Sequence, residues 1–150
     1  MQNKVPPPLL MIATGALMWW VASSSFAFPF SMPFVPAIRT LVIAIGALLT
    51  VSGIVRFARL KTTVNPIKLD ESTRLATTGV YRISRNPMYL GLTIMLLGWG
   101  VHLGSPVNIL CIAAFVAYMT QFQIKPEETA LRKLFGDEFE AYCGKVRRWI

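Results

Sequence analysis

Charged side chains are missing from three long stretches of this chain and crowded into the gaps between them. No Asp, Glu, Lys or Arg occurs in the 34 positions from Val5 to Ile38, the 16 from Thr40 to Val55, or the 39 from Asn86 to Ile124. A helix needs about 20 apolar residues to cross a hydrocarbon core about 30 Å thick. The third stretch, about 58 Å long if helical, is too long for one crossing. Its middle reads Leu103-Gly104-Ser105-Pro106, a turn signal. The pattern predicts an all-α integral membrane protein, one membrane domain over 1–150. Four transmembrane helices fall near 9–28, 39–57, 89–103 and 107–124, the last two as a hairpin. Pro29, Pro33 and Pro36 are read as ending the first. In the tail, 125–150, Leu131, Leu134 or Phe135, Phe139, Tyr142 and Val146 recur at three- and four-residue spacing. That is an amphipathic cytoplasmic helical segment. Gly136 interrupts it, and Asp137 with Glu140 reads as the cap of a second short helix.

Composition agrees. Apolar residues make up 54% of the chain and charged ones 15%, against about 45–50% and 25% in soluble domains. A water-soluble globule of this size would lack the polar residues to cover itself. Glycine spacing adds a packing signal: Gly46 and Gly53, and Gly91 and Gly98, are seven apart. Each pair lies on one helix face, where small residues let backbones approach.

Charge sets the orientation. Of 15 Lys and Arg, seven lie between Arg56 and Arg85, six between Lys125 and Arg148, and Lys4 stands at the N-terminus. Only Arg39 remains for the opposite side, with His102 near the other turn. The positive-inside rule puts both termini and the 58–88 loop in the cytoplasm, as in a bacterial inner-membrane protein. The net charge of +8 then reflects topology and attraction to anionic lipid. The basic residues flank spans, so no nucleic-acid partner is expected. Ser25-Phe26-Ala27 is a poor cleavage site, and the first apolar run reads as a retained helix. Cys111 and Cys143 are too far apart in the predicted topology for a disulfide, and with a lone histidine no metal site is expected.

The chemistry gathers at the cytoplasmic ends. The run Thr77-Thr78-Gly79-Val80-Tyr81-Arg82-Ile83-Ser84-Arg85-Asn86-Pro87-Met88-Tyr89-Leu90-Gly91 leads into the third span, with Pro87 suited to a first helical turn. Lys125-Pro126-Glu127-Glu128 follows the fourth. From the turn at Ser105, Arg85 is twenty residues back and Glu127 twenty-two ahead. At about 1.5 Å per residue both lie about 30 Å down antiparallel neighbours. Arg82, Arg85 and Asn86 should face Glu127 and Glu128 across a short gap. Arginines suit a carboxylate, and carboxylates suit an ammonium or hydroxyls, so the cluster is a site for a zwitterion.

These residues resemble the membrane-embedded isoprenylcysteine carboxyl methyltransferase and phospholipid methyltransferase family. Its hallmark is Arg-His-Pro-x-Tyr followed, after the next hairpin helix, by Glu-Glu. Here the first part stands as Arg85-Asn86-Pro87-Met88-Tyr89 and the second as Glu127-Glu128; Leu131–Tyr142 also resembles the tail of bacterial members. The likeness covers roughly 62–150. It implies S-adenosylmethionine as methyl donor, S-adenosylhomocysteine as product, and a lipophilic or lipid substrate drawn from the bilayer. By this resemblance Gly79, Tyr81, Arg85, Asn86, Tyr89, Leu90, Glu127 and Glu128 bind the cofactor, with Arg85 and Glu128 as catalytic candidates. Asn86 stands where the hallmark has His. Asparagine keeps hydrogen-bonding capacity but not an imidazole's proton chemistry, so the acceptor atom, oxygen, nitrogen or sulfur, stays open.

Two other classes compete. A small-molecule transporter of this size would carry an ionisable group inside a span, and none lies well inside these. A non-catalytic small membrane subunit would have no need of a donor site.

Overall fold

The structure, a computed structural model, describes residues 5–24, 33–59 and 75–150. Among the described residues every regular element is helical. Helix α1 spans Pro7–Ala22 and α2 spans Val35–Arg59. A 3₁₀ turn over Gly79–Arg82 precedes α3, Pro87–Leu103. Helix α4, Asn108–Tyr118, passes through a π-helical stretch, Met119–Ile124, into α5, Lys125–Lys145.

Among the described residues two helices are long and apolar enough to cross a membrane, Val35–Ala58 and the continuous Asn108–Lys145; Pro7–Ala22 and Pro87–Leu103 are shorter apolar helices. Only 11% of the apolar window of α2 is buried, and Leu41, Leu48 and Val51 face outward. So large an apolar face is stable in lipid, not in water. This is a membrane protein.

Three boundaries differ from the hydropathy reading. Helix α1 stops at Ala22 rather than running to 28. The Ser23 and Ser24 hydroxyls donate to the Trp19 and Val21 carbonyls at 2.8 and 2.6 Å, competing with the next helical turn; Ser25 to Phe28 and Pro29 lie outside the described residues. Helix α2 begins at Val35, four residues before the expected 39. Pro36 opens it instead of closing a span, because proline's missing N–H has no partner to lose in a first turn. The third difference is continuity: the chain does not leave the helix at Ile124. Pro126 cannot donate to the preceding turn, and the π-helical stretch just before it shifts the hydrogen-bond register so that Lys125 N–H reaches Thr120 O. The real break comes at Gly136, with φ 48° and ψ −123°, a conformation that favours glycine.

Helices α2 and α3 pack backbone against backbone. A Cβ on Gly46 would stand 2.6 Å from Gly91 O, and one on Gly53 2.6 Å from Met88 Cγ. A Cβ on Gly98 would stand 2.6 Å from Ile43 Cγ1. All four glycines singled out by spacing therefore lie in one interface. On the other side of α3, Met18, Leu92, Leu96, Ile112, Phe115 and Met119 form the core with α1 and α4. Trp99 Nε1 ties it to α1 by donating to Gly15 O at 3.1 Å. The α3–α4 hairpin turns at Gly104, in the left-handed region at φ 64°. At that end Arg39 and His102 meet, 2.8 Å apart and exposed. At the other end the hairpin brings the motif residues together.

Candidate active site

A pocket opens between the 3₁₀ turn, the first turn of α3 and the two halves of α5. Tyr81, Arg85, Asn86 and Tyr89 line one wall and Glu127 and Glu128 the other. Phe57, Leu75, Met88, Leu131 and Phe139 supply apolar surface. The break at Gly136 folds the second half of α5 over this space. There Phe139 is buried, the Tyr142 hydroxyl donates to Tyr81 O at 2.7 Å, and Arg85 contacts the Cys143 thiol.

Polar pairing is dense. The Tyr89 hydroxyl donates to Glu127 Oε1 at 2.6 Å. Glu128 is 4% exposed and takes two guanidiniums at once. Arg148 grips it with both prongs, Nε to Oε1 at 3.0 Å and Nη2 to Oε2 at 2.7 Å, while Arg85 Nη2 lies 3.2 Å from Oε1. The hydrogen bonds to Glu128 hold the Arg148 guanidinium's pKa above its ordinary value, so it stays cationic. Burial raises the Tyr81 phenol well above its ordinary range, helped by Tyr142 and Glu127, so it is a neutral donor. Two donors in this wall are buried without a hydrogen-bond partner: the Tyr81 hydroxyl and Arg85 Nε. Buried polar groups are nearly always paired in a working complex. These two ask for an acceptor-rich group beside a carboxylate pair.

The structure brings Tyr81, Arg85, Asn86, Tyr89, Glu127 and Glu128 together around one pocket, as turn counting along the hairpin expects of its facing ends, with exceptions. Arg82 is exposed and does not line the pocket. Leu90 is buried inside the bundle and Gly79 opens the 3₁₀ turn at φ 68°; neither lines the pocket. Asn86 lines it, yet makes no side-chain cap on α3; its Nδ2 donates to Arg148 O at 3.0 Å. Sequence pattern marks Arg148 only as one of the basic residues of the amphipathic cytoplasmic tail. Its signal is faint: a basic residue twenty positions beyond a carboxylate, joined to it only by the break at Gly136.

The family model for phospholipid methyltransferase matches residues 36–138. The chain belongs to this family. A Haemophilus influenzae protein described as uncharacterized is 46% identical over 63 residues, 42% of this chain and all of that one. A probable protein-S-isoprenylcysteine O-methyltransferase of Oryza sativa subsp. indica is 32% identical over 113 residues, 75% of this chain and 59% of that protein. Protein-S-isoprenylcysteine O-methyltransferase B of Arabidopsis thaliana is 32% identical over 104 residues, 69% and 53% respectively. The chain therefore spans between half and three-fifths of these two plant relatives. No solved structure matches it. The family match runs from α2 to the break in α5 and so takes in both walls of the pocket, but not the strand of chain that carries Arg148.

The donor set suits a zwitterionic ligand: a carboxylate for the unpartnered Arg85 Nε and Tyr81 hydroxyl, an ammonium or hydroxyls for the Glu127 carboxylate, and an apolar ring for the Phe57, Leu75 and Phe139 surface.

Proposed function

We propose that this protein is an S-adenosylmethionine-dependent methyltransferase acting on a lipophilic or membrane-partitioned small substrate. The site lies at the cytoplasmic mouth of one four-span membrane domain, in a bacterial inner membrane with both termini inside. One observation carries the reading: Arg85 and Tyr89 meet Glu127 and Glu128 across the hairpin, around a pocket with unpartnered buried donors.

The cofactor supplies a methyl group on a sulfonium, ready for in-line attack. The chain's task is positioning, and holding two reactants in line accounts for much of such a rate gain. Arg85 and Tyr81 hold the carboxylate end, and Glu127, fixed by Tyr89, holds hydroxyls or the ammonium. Glu128 has both oxygens engaged by arginines, so it acts through them as a positioning residue. Phe139 and Tyr142 cover the pocket and exclude water. The apolar lining receives the substrate's lipophilic part. An ionised carboxylate acceptor needs no base; an amine or thiol must lose its proton before the attack, and Asn86 cannot take it.

The test is calorimetric titration of purified, detergent-solubilised protein with S-adenosylhomocysteine, followed by incubation of lipid extracts with methyl-labelled donor. Binding with a labelled lipid product is expected. Absence of binding overturns the reading, since a transporter or a non-catalytic subunit has no use for the product.

A further inference from the structure

The last residues do not trail away from α5. Val146 leaves the helix in an extended conformation, and the chain then runs back along the segment ahead of α3. The Arg85 backbone N–H donates to Arg147 O at 3.1 Å. The Ser84 hydroxyl and Asn86 Nδ2 both donate to Arg148 O, at 3.3 and 3.0 Å. Ser84 is fully buried in this contact. On the other arm of the hairpin Trp149 Nε1 donates to Thr120 Oγ1 at 3.2 Å, in the π-helical stretch. The strap thus bridges both arms of the hairpin, and the Arg148 side chain turns inward to Glu128.

Two features give the strap a role in ligand exchange. First, among the described residues the only bidentate grip on Glu128 comes from it: Arg85 touches a single carboxylate oxygen. A planar fork fixes the plane of a carboxylate, whereas a single contact leaves it free to rotate. Arg148 therefore sets Glu128, and Glu128 in turn sets the Arg85 guanidinium whose Nε is unpartnered. Second, the strap has one apolar anchor, the half-buried Trp149 packed against the core, while Arg147 is exposed and Ile150 is 73% exposed. A segment with so few buried apolar contacts opens more readily than the helices it crosses.

We propose that residues 146–150 form a strap that lifts for ligand exchange and on closing completes the site. Arg148 is the positioning residue for Glu128 and Arg85, and Asn86, the residue that departs from the hallmark, is the latch. The inference rests on the methyltransferase reading above. It assigns the Asn86 amide to the backbone of the strap, so its loss acts on how long a ligand stays.

The test uses the full chain in detergent, with S-adenosylhomocysteine as probe. Association and dissociation rates are measured for the wild type, Arg148→Ala, Arg148→Lys and Asn86→Leu, alongside melting temperatures. Dissociation at least about tenfold faster, with association nearly unchanged, is expected for Arg148→Ala and Asn86→Leu. Arg148→Lys should behave like Arg148→Ala, because an ammonium cannot make the two-pronged grip. Melting should stay near wild type, because Glu128 keeps Arg85. If the wild type binds and Arg148→Ala and Asn86→Leu both release the probe at its rate, the strap is only structural and the methyltransferase reading stands. If Arg148→Lys restores wild-type dissociation, charge alone suffices and the positioning role falls. If the wild type does not bind, both readings fall together.

Discussion

Two tyrosines in one wall are set for different tasks. The Tyr142 hydroxyl is committed to the Tyr81 carbonyl at 2.7 Å, whereas the Tyr81 hydroxyl is buried with no partner. Tyr142→Phe removes a made bond and should cost about 0.5–1.5 kcal/mol of stability. Tyr81→Phe removes no bond from the free protein. It should leave the melting temperature alone and weaken S-adenosylhomocysteine binding roughly fivefold or more. The reverse pattern would show that Tyr81 belongs to the fold and not to the site. Burial raises both phenols above their ordinary pKa of 10.0. The sign follows: the stability from keeping them neutral is complete below pH 10 and is lost as pH rises beyond it. Alkaline melting curves should therefore fall above pH 10, and less steeply in Tyr81→Phe. At this scale Arg85, Tyr89, Glu127 and Glu128 are legible in the sequence because residue type and spacing along a hairpin are local properties. Phe57 and Arg148 are not, since Phe57 reaches the pocket, and Arg148 reaches Glu128, only through tertiary folding that local spacing does not record.

At the scale of elements, glycine does two separate jobs, and substitution tells them apart. Gly91 is a packing glycine: a Cβ there would collide with Thr50 Oγ1 and stand 2.8 Å from Thr50 N. Backbone cannot step aside as a side chain can, so Gly91→Val must push α2 from α3. A cost of about 1–3 kcal/mol is expected, and more if the bundle loosens. Gly136 and Gly144 have nothing within 4 Å of a Cβ, yet only Gly136 has a positive φ. Gly136→Ala should therefore cost about 1–2 kcal/mol through backbone strain alone, while Gly144→Ala should be neutral or slightly stabilising. Thermal melting of the three variants in one detergent checks this; equal melting for Gly136→Ala and Gly144→Ala would remove the break as a strained, specified feature. The seven-residue glycine spacing is enough to mark the faces that meet between α2 and α3, because helical periodicity alone puts each pair on one side. Hydropathy, by contrast, places the end of the fourth helix at its last apolar residue. It is blind to the π-helical stretch that carries the helix past Pro126, because that depends on hydrogen-bond register and not on polarity.

Across the whole molecule the two ends of the bundle differ in kind. One carries Arg39 and His102, in contact at 2.8 Å and exposed to solvent. The other carries the arginine–glutamate cluster, the strap and most of the 15 basic residues. Lysine and arginine near helix ends are retained on the cytoplasmic side, so the pocket should open into the cytoplasm, where S-adenosylmethionine is made available to enzymes. The hairpin supplies a direct check. Pro106, at its turn, is exposed, and Lys145, at the end of α5, is exposed at the opposite end. In a chain with Cys111→Ala and Cys143→Ser, Pro106→Cys should react with a membrane-impermeant maleimide in right-side-out vesicles and be protected in inside-out ones. Lys145→Cys should show the opposite. Pro106 lies in the turn between two apolar helices and Lys145 beyond the last of them, so failure to label from either face is not expected. The reversed pattern would put the arginine–glutamate pocket outside. It would break the positive-inside argument and leave the pocket on the wrong side of the membrane from its donor. Labelling of both positions from one side would mean that α3 and α4 do not cross as a hairpin, and the four-span reading would fall with it.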